Sequence, residues 1–97
     1  MRLVWKPQAI ADRSEIMEYV AQDSPSAAID IDEAIEQQVE SLIHFPELGR
    51  RGRVPGTCEL VVARTPYIAV YALDLERSVI SVIRVLHGAR QWPPERG

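Results

Sequence analysis

Three apolar runs in the second half of the chain are separated by only three and four residues, and that spacing leaves few folds open. The runs are CELVVA (Cys58 to Ala63), YIAVYALD (Tyr67 to Asp74) and VISVIRVLH (Val79 to His87), rich in β-branched and aromatic side chains; the links are RTP and LERS. A parallel crossover needs a dozen or more residues, so each link admits only an antiparallel neighbour. A three-stranded meander is the expectation. The run RLVW (Arg2 to Trp5), ended by Pro7, reads as one more strand that extends the sheet.

Between those strands the texture is helical. From Pro7 to Gln22 the apolar positions Ile10, Ile16 or Met17, and Val20 recur at helical spacing, with Asp12, Arg13, Glu15 and Glu18 assigned to the other faces. DSP then resets the chain: Ser24 can accept the orphan amide hydrogens of a new helix, and Pro25 occupies a first turn where no donor is missed. Ala28, Ile31, Ile35, Val39 and Leu42 continue at spacings of three or four until HFP stops the helix before Pro46. The pair reads as a helical hairpin with acidic outer faces, and one face of the sheet offers the apolar surface it must cover. The expected fold is α+β in the order β-α-α-β-β-β, a single domain over residues 1–97 with an antiparallel sheet and the hairpin packed on one face.

ELGRRGRVPGT (Glu47 to Thr57), with three glycines, a proline and three arginines, reads as a loop. In the Tyr67 run, Tyr67, Ala69, Tyr71 and Leu73 share one face and Ile68, Val70 and Ala72 the other; the run does not say which face meets the helices.

Composition narrows the functional classes. At 46% hydrophobic and 26% charged residues the chain has the balance of a folded domain. No apolar run approaches the roughly 20 residues that span a bilayer, and MRLVWKPQ lacks the apolar stretch of a secretory signal, so a cytoplasmic protein without membrane association is expected. The single cysteine, Cys58, has no internal partner and reads as a small buried hydrophobe. The net charge of -3 hides an asymmetry: three basic side chains face ten acidic ones up to Gly49, whereas eight arginines face four acidic residues after it. Such a surface can hold an anionic target through one patch, although the total is acidic for a protein that must neutralise many phosphates.

Several chemistries lack their motifs. There is no phosphate-binding glycine loop, no histidine pair at metal spacing, no nucleophile elbow and no zinc framework, so neither a cofactor nor a metal is implied. What remains is polar: Arg50, Arg51 and Arg53 in the loop, Arg64 at the first hairpin turn, Arg84 in the last strand, and His87 and Arg90 at its end. Metal-free RNA cleavage asks for such groups, because a base must take the 2′-hydroxyl proton, cations must offset charge on the phosphate, and an acid must protonate the leaving oxygen. Histidine is a side chain that can serve in either role near neutral pH, which makes His87 the candidate. Each residue also has a plainer reading: arginines beside glycines as solvated loop residues, His87 as a strand end, and His44 as a helix-terminal residue favoured by the dipole. Trp92, between ARQ and two prolines, either packs back on the domain or offers an exposed contact.

A tryptophan closing the first strand, FPELGRRGRVPGT, ELVVARTPYIAVYAL and VIRVLHGARQWP, in that order, resemble the RelE/ParE toxins of bacterial type II toxin-antitoxin modules, over Leu3 to Pro93. The resemblance implies a small toxin neutralised by a cognate antitoxin that wraps it. RelE-like and YoeB-like members cut messenger RNA on the ribosome with arginines, lysines and, in some branches, a glutamate, histidine or tyrosine; ParE-like members inhibit DNA gyrase and lack that set. Here Ile68 stands where the nucleases carry a phosphate-binding arginine, Leu60 and Val62 where RelE-like members carry lysines, and Gly88 where a tyrosine follows. His87 alone matches. Losing one cation aimed at transition-state charge costs about a hundred- to a thousand-fold in rate, so the ParE branch is favoured. The resemblance thus implies a gyrase inhibitor acting by binding, with Arg50, Arg51, Arg90 and Trp92 as target or antitoxin contacts. The alternative is a ribosome-dependent endoribonuclease using His87, Arg64, Arg84 and Arg53; a third reading is a degenerate toxin that keeps only antitoxin binding.

Overall fold

The computed structural model describes residues 1–94; Glu95 and Arg96, which enter the charge balance above, lie outside the described residues. The elements are β1 (Arg2–Trp5), α1 (Pro7–Ala21), α2 (Pro25–Glu40), β2 (Arg50–Arg51), β3 (Cys58–Val61), β4 (Tyr67–Asp74) and β5 (Val79–His87), with a 3₁₀ turn at Ser41–Ile43. Ser24 caps α2 as expected, its hydroxyl accepting from the Ala27 amide with Pro25 in the first turn. The second helix stops at Glu40 rather than running to HFP, because the chain tightens into the 3₁₀ turn that buries Leu42. Among the described residues no helix is long and apolar enough to cross a membrane.

The sheet has five strands in the order β1-β5-β4-β3-β2 and is mixed, not antiparallel throughout. The meander is antiparallel, as the short links require, but β1 joins the far edge parallel to β5, pairing Arg2 with Val79 and Trp5 with Val82. Both helices separate β1 from the meander in sequence, a connection long enough for parallel pairing. The fifth strand comes from the segment read as loop: Arg50 and Arg51 pair with Glu59 and Cys58.

The helices cover the face that carries Tyr67, Ala69 and Tyr71, which form the main core with Ile35, Val39, Leu42, Leu60, Val62, Ile80, Val82 and Val85. Ile68, Val70 and Leu86 form a smaller cluster on the opposite face, and Trp92 folds back against it. Tyr71 is fully buried and its hydroxyl is satisfied on both sides, donating to the Pro46 carbonyl at 2.9 Å and accepting from the Gly49 amide at 3.0 Å. That bridge pins the start of the arginine loop to the core. A Cβ on Gly49 would fall 2.6 Å from the Tyr71 oxygen and 2.8 Å from the Glu59 carbonyl, so no side chain fits there. Gly49→Ala is expected to cost about 1 to 3 kcal/mol by overpacking, read as a lower urea midpoint with unchanged slope.

Candidate polar site on the outer sheet face

A bulge in β5 determines which way the last strand's arginine points. Val70 pairs with Arg84 and Tyr71 with Val82, so Ile83 has no opposite residue in β4. One extra residue restarts the alternation, which keeps both Val82 and Val85 in the helix-side core while turning Arg84 outward beside Val70. The extra residue falls just past the last residue paired with β1, at the point where one edge of β5 becomes open.

Asp12 meets that open edge. It was assigned to a solvent face of α1, yet it is 3% exposed: Oδ2 accepts the Val85 amide at 2.9 Å and Arg84 Nε at 2.8 Å, and Oδ1 accepts Arg84 Nη2 at 3.1 Å. Ile10, assigned to the apolar stripe, is exposed, and Ala9 takes the buried position. Burial pushes the Asp12 carboxyl up, but Arg84, the Val85 amide and Gln8 together outweigh it and hold it below the usual carboxylate value. Arg84 then lies over the Trp92 ring at 5.3 Å, so α1, β5 and the tail are fastened through one guanidinium. Trp92 thus packs back on the domain, although its indole Nε1 is buried with no acceptor among the described residues.

Glu59 forms a second anchor on the same outer face, towards the other edge of the sheet. It is 1% exposed and receives the Arg53 amide at 2.9 Å, Arg53 Nε and Nη2 at 3.1 Å each, and Arg50 Nη2 at 3.4 Å. Burial raises this carboxyl too, and Arg53, through its side chain and its amide, with Arg50 behind it, brings it below the ordinary value. Arg53 also reaches the Arg90 carbonyl at 3.5 Å, tying the loop to the tail. A signal for this was present in the sequence: Glu59 is the one charge inside the CELVVA run, next to a loop with three arginines.

The residues singled out from the sequence therefore divide. Arg50, Arg53, Arg84, Arg90 and Trp92 gather through their contacts on the outer face and tail, with Arg51 exposed beside Arg50 on the edge strand. Arg64 does not join them; it sits at φ 64° in the β3–β4 turn and lines a cavity against α2 with Asp30 and Gln38. His87 is exposed, its ring edge-on to Tyr67 at 5.7 Å and its Nδ1 accepting the Ala89 amide at 3.0 Å, which leaves Nε2 as the uncommitted ring nitrogen. His44 closes the 3₁₀ turn after α2. Ile68, Leu60 and Val62 are all buried.

The family described as the ParE toxin of the type II toxin-antitoxin system, parDE, matches residues 3–92. The chain belongs to that family. It is 35% identical over 92 residues to the protein Y4kP of Sinorhizobium fredii, covering 95% of this chain and 93% of that one. Toxin RelE2 of Caulobacter vibrioides is 33% identical over 89 residues, covering 92% and 97%. Among solved structures, the chromosomal ParDE system of P. aeruginosa superposes with a TM-score of 0.79 at 29% identity, covering 90% of this chain and 95% of that one. The ParE match spans both helices, the whole meander and Trp92, so outer face and tail belong to the part shared with the family.

Proposed function

We propose that this ParE-family toxin acts by binding DNA gyrase, without catalysis of its own, and is neutralised by a co-encoded antitoxin. The observation that carries the reading is the neutralisation of the arginines that a nuclease would use. Arg84 and Arg53 each have a buried carboxylate on the guanidinium, so their charge is spent on Asp12 and Glu59 rather than offered to a phosphate. Arg64 faces a different cavity, and Leu60, Val62 and Ile68 supply no cation. The exposed Arg51, the tail carrying Arg90 and the solvent-facing Val61 remain as contact groups for a binding partner. The ParDE neighbour supports the antitoxin and the gyrase branch together. The resemblance to Toxin RelE2 and the exposed His87 favour the second reading, messenger cleavage on the ribosome.

Induction in a sensitive bacterium, with translation and DNA breaks followed separately, tests the choice. Gyrase-dependent breaks are expected, at the same level after His87→Ala. Rapid loss of protein synthesis with cleaved messenger, abolished by His87→Ala, would establish the nuclease instead. Growth untouched by induction would leave only antitoxin binding.

A further inference from the structure

The outer edge of β1 carries unpaired backbone between two cations, and we propose that it docks an acidic, extended protein segment that adds antiparallel to β1. The strand ends the sheet, with β5 on one side and no strand on the other. Bonds from the Arg2 amide to the Ser78 carbonyl and from the Lys6 amide to the Val82 carbonyl, both 2.9 Å, fix which residues face β5. Alternation along the strand puts Val4 with them and turns the N–H and C=O of Leu3 and Trp5 the other way. Those groups have no partner among the described residues.

The helices leave this edge uncovered. The first helix packs across β5 and the second against α1 and β4, while β1 is approached from outside the sheet chiefly by the 3₁₀ turn at Ser41–Ile43. Burial follows the same division. Ile80 and Val82, which stand beside Leu3 and Trp5 in the register, are 0% exposed, whereas Leu3, Val4 and Trp5 are each partly exposed and Arg2 and Lys6 are fully on the surface. An antiparallel segment pairs with both groups of Leu3 and both of Trp5 through only three of its own residues, and antiparallel pairing is the more stable per residue.

Charge selects the occupant. Arg2 and Lys6 share the outer face with Val4 between them, and none of the ion pairs among the described residues takes either. A second copy is disfavoured: a two-fold axis at Val4 would set Arg2 of one copy opposite Lys6 of the other, at both ends of the pairing. Like charges directly opposite destabilise a strand pair, and cations on an exposed edge are a common guard against self-association. The same cations suit a segment with carboxylates opposite Arg2 and Lys6 and strand-forming residues between them. Backbone pairing then supplies the affinity and the carboxylates the selectivity. This concerns β1 alone and does not rest on the choice between gyrase and ribosome.

The test uses the full chain and the peptide Ac-Glu-Val-Thr-Val-Glu-NH2, with amide exchange followed by NMR. At a peptide concentration about ten times its dissociation constant, the Leu3 and Trp5 amides are expected to exchange roughly tenfold more slowly, with the Val4 amide, already bonded to β5, unchanged. The same peptide N-methylated at both valines should give no protection, and Ac-Lys-Val-Thr-Val-Lys-NH2 should bind roughly tenfold more weakly. In Lys6→Glu, its fold checked by circular dichroism, the preference should pass to Ac-Lys-Val-Thr-Val-Glu-NH2 over the reversed Ac-Glu-Val-Thr-Val-Lys-NH2, because an antiparallel segment sets its first residue opposite position 6. Unprotected Leu3 and Trp5 amides at millimolar peptide, equal binding of the lysine peptide, or the opposite preference in Lys6→Glu would each overturn the proposal. So would protection of this edge by a single-stranded oligoribonucleotide where the peptides fail.

Discussion

Asp12→Ala is expected to destabilise the domain by about 3 to 5 kcal/mol, the usual result of removing one partner from a buried ion pair. The carboxylate does three things at once: it satisfies the Val85 amide at an unprotected strand edge, neutralises Arg84, and through Arg84 holds Trp92 against the outer face. Removing it leaves an unpaired amide and a guanidinium that is 16% exposed. For a domain of this size the loss corresponds to a fall in thermal midpoint of roughly 15 °C or more. Arg84→Met keeps the Val85 bond but leaves the Asp12 carboxylate, 3% exposed, without its cation, so it too should be strongly destabilising. The double variant, which removes both charges, should cost clearly less than the sum of the two single variants. If the two losses simply added, Asp12 and Arg84 would not act as a pair.

The meander and the helical hairpin were legible because each rests on a local rule: three- and four-residue links force antiparallel neighbours, and Ser24 with Pro25 marks a helix start. The parallel placement of β1 was not, since no local feature of Arg2 to Trp5 says which strand it will join. Asp12 was placed on a solvent face because periodicity sorts residues by polarity. Its burial depends on an amide 73 residues away at an edge that exists only where β1 has run out. The direction of Arg84 depends on the bulge at Ile83, which nothing in VISVIRVLH announces: strict alternation would have turned that arginine into the core. The loop and tail arginines do meet on one face, but two of those read as candidate catalysts, Arg53 and Arg84, are bound to carboxylates.

Acid is expected to unfold this domain through the same two carboxylates. Asp12 and Glu59 are both held below their ordinary values of 3.8 and 4.5 in the folded state. A carboxyl depressed by folding contributes stability that is fully present above its unfolded value and is lost as pH falls through the folded one. Stability should therefore stay flat in this respect from about pH 7 down to about pH 5 and then drop steeply below about pH 4.5. Glu59→Gln isolates one share. It removes the charge that holds Arg50 and Arg53, at a cost of about 2 to 4 kcal/mol, because those arginines, at 62% and 39% exposed, can return to water more easily than Arg84 can. With the loop no longer tied to Glu59, Arg53 also loses its hold beneath the Arg90 carbonyl, so the tail should become more accessible to protease than in the wild-type protein. Urea unfolding at a series of pH values reads the linkage directly: the Glu59→Gln curve should run lower at neutral pH and flatter towards acid. A variant curve parallel to the wild type would mean that Glu59 titrates alike in both states, and the drop would belong to Asp12 alone.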